Sequence, residues 1–262
     1  MELGLKGKRA LVTAASRGLG LASARALGAE GAKVALAGRR ANHLEKLAAQ
    51  IAASGGAETA AIPMDLLDPA SIVRGIEDIV GRWGGLDILI ANTPGPPSGD
   101  FLSIDRKTWR EALDMTVMPV VDLLRAAVPV MKAGGGGRIL CITTVGVKVV
   151  QPNMVLSNAT RLAIVGIAKT VSIEQAANNI LVNALCPGPI DTDRMNELIE
   201  ATSRQRKVGR AEAEAIWLDE VPLARMGRAE DFGKLVAVMV SDAASFVTGA
   251  ALAVDGGKSD AY

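Results

Sequence analysis

Short aliphatic runs alternate with amphipathic segments almost from one end of the chain to the other, and no other feature of the sequence restricts the fold as much. Residues 9–13, 33–37, 59–63, 86–91, 138–143 and 180–186 read as strands. They are apolar over successive positions, as strands covered on both faces are. Between them, 19–30, 41–54, 69–82, 105–131 and 158–177 read as helices, with a kink or early stop expected in the fourth from Pro119 and Pro129. Strands separated by helices in this way pair in parallel through right-handed crossovers. The chain is therefore expected to form one doubly wound α/β domain over residues 1–262. A polar stretch at about 188–222, with helical pieces, is expected to stand over the sheet edge on the substrate side.

Composition agrees with one sizeable core. Of the 262 residues, 49% are hydrophobic and 22% charged, which is globular and not disordered. Aromatics are only 3%, so the core must be aliphatic. A net charge of +1 without long Lys/Arg runs argues against a nucleic-acid partner. No apolar stretch reaches the length of a membrane span. The first nine residues carry no apolar signal core, so a cytoplasmic location is expected. Cys141 and Cys186 lie in apolar runs and read as buried thiols. With one His in the chain and no ligand spacing, no metal site is expected.

The first strand runs into Thr13-Ala14-Ala15-Ser16-Arg17-Gly18-Leu19-Gly20. Glycines at a strand-to-helix turn let backbone approach a pyrophosphate, and the helix N-terminus offers unpaired N–H groups. The plainer alternative is a tight turn and nothing more; its place as the first such turn favours the phosphate reading. An NAD site would carry Asp or Glu at the end of the second strand. Here the strand ends in Gly38-Arg39-Arg40, with Arg17 nearby, and arginines suit a 2′-phosphate. NADP(H) is expected over NAD(H).

Later landmarks follow in order. Asp65 and Leu66 come after the third strand. Asn92 lies in Ala91-Asn92-Thr93-Pro94, and Pro187 and Gly188 close Asn183-Ala184-Leu185-Cys186-Pro187-Gly188. Ile190 and Thr192 come next, then Val221–Gly227 and Val247–Gly257. Together with the turn, these resemble the short-chain dehydrogenase/reductase family, and in particular its 3-oxoacyl-ACP reductase-like members. The resemblance covers nearly the whole chain and implies a Rossmann-type fold, a nicotinamide coenzyme and a small-molecule substrate. It implies that Thr13, Ser16, Arg17, Gly18, Leu19, Gly20, Arg39, Arg40, Asp65, Leu66, Asn92, Pro187, Gly188, Ile190 and Thr192 contact the coenzyme. It also implies a homotetramer or homodimer.

The resemblance breaks where the chemistry sits. The family uses a Tyr as proton donor, a Lys four residues on, a Ser one strand upstream and an Asn on the preceding helix. The matching positions read Ser157, Arg161, Thr144 and Thr116, and the first glycine of the turn is Ala14. Slippage is no escape, because the chain's one tyrosine is Tyr262. Arg161 keeps its proton, but as the Lys counterpart it is expected to hold ribose hydroxyls. Replacement proton sources are Lys148, against a solvated loop lysine; Asp191, against a helix cap; and Tyr262 of a neighbouring subunit, against a disordered tail. His43 reads as a surface residue and 134–137 as a flexible turn. The expected function is an NADP(H)-dependent oxidoreductase acting on a carbonyl/alcohol or related substrate with non-standard proton delivery. The alternative is a catalytically inactive dinucleotide-binding sensor or scaffold; an assembly role for helices 105–131 and 158–177 is a third reading.

Overall fold

The computed structural model describes residues 2–260. Seven strands form one parallel sheet: β1 (Arg9–Val12), β2 (Lys33–Gly38), β3 (Thr59–Pro63), β4 (Ile88–Ala91), β5 (Gly137–Ile142), β6 (Ile180–Pro187) and β9 (Ala251–Val254), in the order β3-β2-β1-β4-β5-β6-β9. Every pairing is parallel, with Leu11 beside Ala35 on one side and Leu89 on the other. Successive residues serve opposite faces. Ala10, Val12, Val34 and Leu36 pack under α1 (Gly18–Ala29), α2 (Ala41–Gly55) and α9 (Ala229–Met239). Leu11, Ala35, Leu89 and Cys141 pack under α3 (Pro69–Trp83), α5 (Met118–Ala133) and α6 (Val155–Glu174). This two-faced burial is why the strands are apolar throughout.

Local signals place the helices. Asp68 accepts from Ala70 N at 3.0 Å and Pro69 occupies the first turn, so α3 starts there. The expected helix 105–131 is two helices, α4 (Arg106–Thr116) and α5, joined at Val117. Pro119 is the cause: it has no N–H to continue α4 but suits a first turn, while Pro129 rides inside α5. The sequence reading passed over α9 and β9. Gly233 of α9 lets that helix lie against α1, since a Cβ there would sit 2.4 Å from Ala22 O.

The stretch after β6 holds β7 (Ile190–Asp191), α7 (Asp193–Arg206) and α8 (Arg210–Leu218), and β7 pairs with β8 (Gly227–Arg228). Met195, Ile199 and Ala213 join α7 to α8 in a small cluster of their own. None of the helices among the described residues is long and apolar enough to cross a membrane.

Candidate active site

Strand order reverses at β1, so the crevice beyond the carboxyl ends of β1 and β4 is where this architecture opens for a ligand. Thr13 ties the two ends together: its hydroxyl donates to Asn92 O (2.7 Å) and accepts from Asn92 N (2.9 Å). The turn then bends through Ala14 at φ +46°, a left-handed conformation costly for a residue with a Cβ. Gly18, at φ +55°, opens α1. A Cβ on Gly20 would lie 2.5 Å from Ala14 O and 2.9 Å from Asn92 Nδ2. The first turn of α1 has no side-chain cap. A cradle with no room for a methyl group, below uncapped N–H groups, fits a pyrophosphate. Ser16 and Leu19 are half-buried there, and Ser16 O lies 3.2 Å from His43 Nε2, so His43 braces the turn from α2.

Arg39 and Arg40 are exposed at the end of β2, and their side chains form no ion pair or hydrogen bond among the described residues. Arg17 instead meets Asp193 (3.5 Å) and Glu197 (3.2 Å) of α7. Asp65 is exposed and accepts from Leu67 N at 3.0 Å, beside half-buried Leu66. Across the crevice, Gly188 N donates to Val254 O (3.0 Å) after Pro187, and Ile190 is buried. Asp191 does not cap the next helix. Thr192 does, its Oγ1 accepting from Met195 N at 3.3 Å, because the carboxylate one residue earlier sits in β7.

On the reaction side, Thr144 follows β5 and its Oγ1 accepts from Gly146 N at 3.3 Å. Ser157 and Arg161 lie one turn apart on the inner face of α6, 6% and 5% exposed. The Ser157 hydroxyl makes no hydrogen bond among the described residues. Its neighbour Asn158 gives Nδ2 to Gln151 O (2.9 Å) and buries Oδ1 without a partner. Thr116 is buried and turns its hydroxyl back to Ala112 O of its own helix. Lys148 is half-buried and pairs with no carboxylate among the described residues. Tyr262 lies outside the described residues.

Arg161 is the most constrained side chain in the crevice. Nη1 donates to Thr93 Oγ1 (2.7 Å) and Ile142 O (3.3 Å), and Nη2 to Thr93 O (3.1 Å) and Pro94 O (2.9 Å). Four of the five N–H donors of a guanidinium thus already meet protein acceptors, which leaves Nε–H for the ribose contact expected of this position. Burial first, and the charge of Arg194 after it, lower Arg161 to about 10. It remains cationic at neutral pH. From the other side of the same segment, Arg194 of α7 donates to Pro96 O at 3.0 Å. Sequence reading missed both the Thr93 and the Arg194 contacts, since no spacing rule links residues 68 or 98 positions apart.

A cavity of about 630 Å³ lies behind the turn, between α1, α7 and α9, and includes Gly18, Thr192 and Asp193. None of Thr144, Ser157 or Arg161 lines it, so it is not the reaction pocket.

The model of the family described as Enoyl-(Acyl carrier protein) reductase matches residues 13–259. The chain is 30% identical over 257 residues to 3-oxoacyl-[acyl-carrier-protein] reductase FabG of Aquifex aeolicus, covering 98% of this chain and 99% of that protein. L-sorbose reductase from Gluconobacter frateurii, complexed with NADPH and L-sorbose, superposes with a TM-score of 0.92 at 26% identity over 100% of both chains. A 7α-hydroxysteroid dehydrogenase complexed with NADH and 7-oxo glycochenodeoxycholic acid superposes at 0.87 with 26% identity, covering 98% of this chain and 96% of that one.

Proposed function

The chain belongs to the short-chain dehydrogenase/reductase family, and from that premise we propose that it is an NADP(H)-dependent oxidoreductase of small carbonyl or alcohol substrates in which hydroxyls replace the phenol. The family establishes an oxidoreductase with a nicotinamide coenzyme; the choice of NADP(H) and the manner of proton delivery are our reading. Thr13 to Gly20 would cradle the pyrophosphate. Arg39 and Arg40, free of any carboxylate, would take the 2′-phosphate, with Asp65 and Leu66 at the adenine. Asn92, Pro187, Gly188, Ile190 and Thr192 would line the remainder. When bound, the coenzyme gives or takes the hydride.

Ser157 and Thr144 then serve the oxygen of the substrate. In the reducing direction an alkoxide develops there, and an oriented donor contributes on the order of 10²–10³-fold. A positioned general acid would contribute about 10²–10⁴-fold. Neither hydroxyl is such an acid, so the proton comes from water or from the substrate. The observation that carries this reading is the Ser157 hydroxyl, on a residue only 6% exposed, which no protein group engages among the described residues and which stays open to solvent. A hydroxyl that no protein group occupies can donate to or accept from a bound ligand, and a decayed site would sooner hold an apolar side chain. The test is NADPH oxidation with ketones, quinones, imines and activated alkenes, after NADPH binding has been measured by titration. Turnover of one class that Ser157→Ala lowers about tenfold or more supports the proposal. Binding of NADPH with no turnover of any overturns it.

One observation favours the inactive sensor as a second reading: Arg161 is committed to the loop at Thr93 and Pro94. The double change Ser157→Tyr with Arg161→Lys separates the two. Activity gained only by the double variant favours the sensor, and native activity lost in it favours the enzyme. We also read the assembly as a homotetramer or homodimer and the location as cytoplasmic.

A further inference from the structure

We propose that the reaction pocket is built for a substrate carrying a carboxylate, held against the positive charge that Arg161 and Arg194 place on either side of the 93–97 segment. The inference rests on the reading of this crevice as a coenzyme and substrate site, and it names the substrate class.

Arg161 is a buried cation without an anion. Its acceptors are one hydroxyl and three carbonyls, and no carboxylate pairs with it among the described residues. Neutral acceptors satisfy hydrogen bonds but leave the charge uncompensated, and buried charges are ordinarily paired. Arg194 adds a second guanidinium to the same segment. It donates to Pro96 O, and its Nε lies 3.3 Å from where a Cβ on Gly95 would stand, so the glycine makes room for it. Its carboxylate, Glu197, is 3.4 Å away and is shared with Arg17 of the phosphate turn at 3.2 Å.

None of the remaining charges nearby pairs with Arg161 among the described residues. Lys148, past Thr144, has no ion pair among the described residues and acts electrostatically on Cys186 at the end of β6. Asp255 acts on the same thiol in the opposite sense, held by Gly257 N (3.0 Å) and Ser259 N (2.8 Å), and so offsets Lys148 and not Arg161. Of the hydroxyls that would serve a reacting oxygen, Ser157 stands one turn from Arg161 on the inner face of α6 and Thr144 four residues before Lys148. A carboxylate elsewhere on the substrate supplies the missing anion, and the hydroxyls take the carbonyl.

The experiment is a competition by charge alone, run on the full chain at saturating NADPH. Phenylacetate is titrated against phenylacetamide, and levulinate against methyl levulinate, with binding read from tryptophan fluorescence and thermal shift. Each acid is expected to bind at least about tenfold tighter than its neutral partner. In Arg194→Gln and in Lys148→Gln that ratio is expected to shrink, with the neutral partner as the internal reference. Arg161 is left intact because its loss would free the segment it holds. Equal affinity within each pair, or no binding of either member at millimolar concentration, overturns the proposal. So does acid binding that NADPH abolishes, which would place the anion in the phosphate turn. The readout is binding, so absence of turnover leaves it standing, and the NADPH titration alone tests the coenzyme reading.

Discussion

Gly20 has no space for even one methyl group, because the positions a Cβ would take crowd Ala14 O and Asn92 Nδ2. Gly20→Ala must push the turn open or displace Asn92, and overpacking of this kind costs about 1–3 kcal/mol. We expect NADPH affinity to fall at least about tenfold, measured by fluorescence titration; unchanged affinity would remove this turn from the coenzyme site. Ala14 is the converse case. At φ +46° it bears strain that a glycine would not, and the strain exceeds the extra chain entropy glycine brings. Ala14→Gly is expected to raise stability by up to about 1 kcal/mol in urea denaturation, and a lower midpoint would contradict that. At this scale the sequence showed which residues had changed: the hydroxyl at 157, the guanidinium at 161 and the methyl at 14 are plain as letters. It did not show what Arg161 touches, because Thr93, Pro94 and Ile142 reach it only through the packing of α6 against the ends of β4 and β5.

Helix α7 shows what the elements contribute. It begins at Thr192, which accepts from Met195 N and donates to Ile190 O at 3.2 Å. Its first turns carry Asp193, Arg194 and Glu197, which reach Arg17 on one side and Pro96 on the other. Removing the cap with Thr192→Ala should cost about 0.5–2 kcal/mol, concentrated in that turn. Amide hydrogen exchange of residues 193–199 is expected to quicken while β1 and β4 keep their protection; uniform exchange would argue that α7 stands without the cap. Strong periodicity made β1 to β6 and most helices legible. The elements that escaped have physical reasons. β9 is an edge strand, half alanine and only partly buried, so it lacks the β-branched run that marks the inner strands. α9 contains Gly233, which reads as a helix weakness until α1 lies against it. The division between α4 and α5 hangs on Pro119, which predicted an interruption but not a new helix.

For the whole molecule, Leu113, Met118, Leu162 and Ile173 stay exposed on α4, α5 and α6, with Leu162 at 55% and Ile173 at 67%. If copies pack through these helices, light scattering at micromolar concentration gives a dimer or tetramer that Leu162→Arg breaks down; a monomer in the unaltered protein sinks the assembly reading. Stability of the sheet has a separate anchor at its opposite end. Arg9 donates Nε and backbone N to Asp87 Oδ2, both at 2.8 Å, and Nη2 to Oδ1 at 2.6 Å, joining the start of β1 to the residue before β4. Burial alone would raise the Asp87 carboxyl, but the Arg9 hydrogen bonds and charge outweigh it and hold it below the usual carboxylate range. Unfolding returns Asp87 to its ordinary value, so the unfolded chain takes up the proton more readily as pH falls. The contribution is therefore complete above the ordinary carboxylate range and fades as pH drops through the lowered folded value. Asp87→Asn should lose about 1–3 kcal/mol at neutral pH, since charge-assisted hydrogen bonds to a half-buried group vanish. Urea melts at descending pH should show the two proteins converging in acid, where the native carboxyl also is protonated. A constant gap down to the acid limit would mean that shape, and not the charge of the pair, holds β1 to β4.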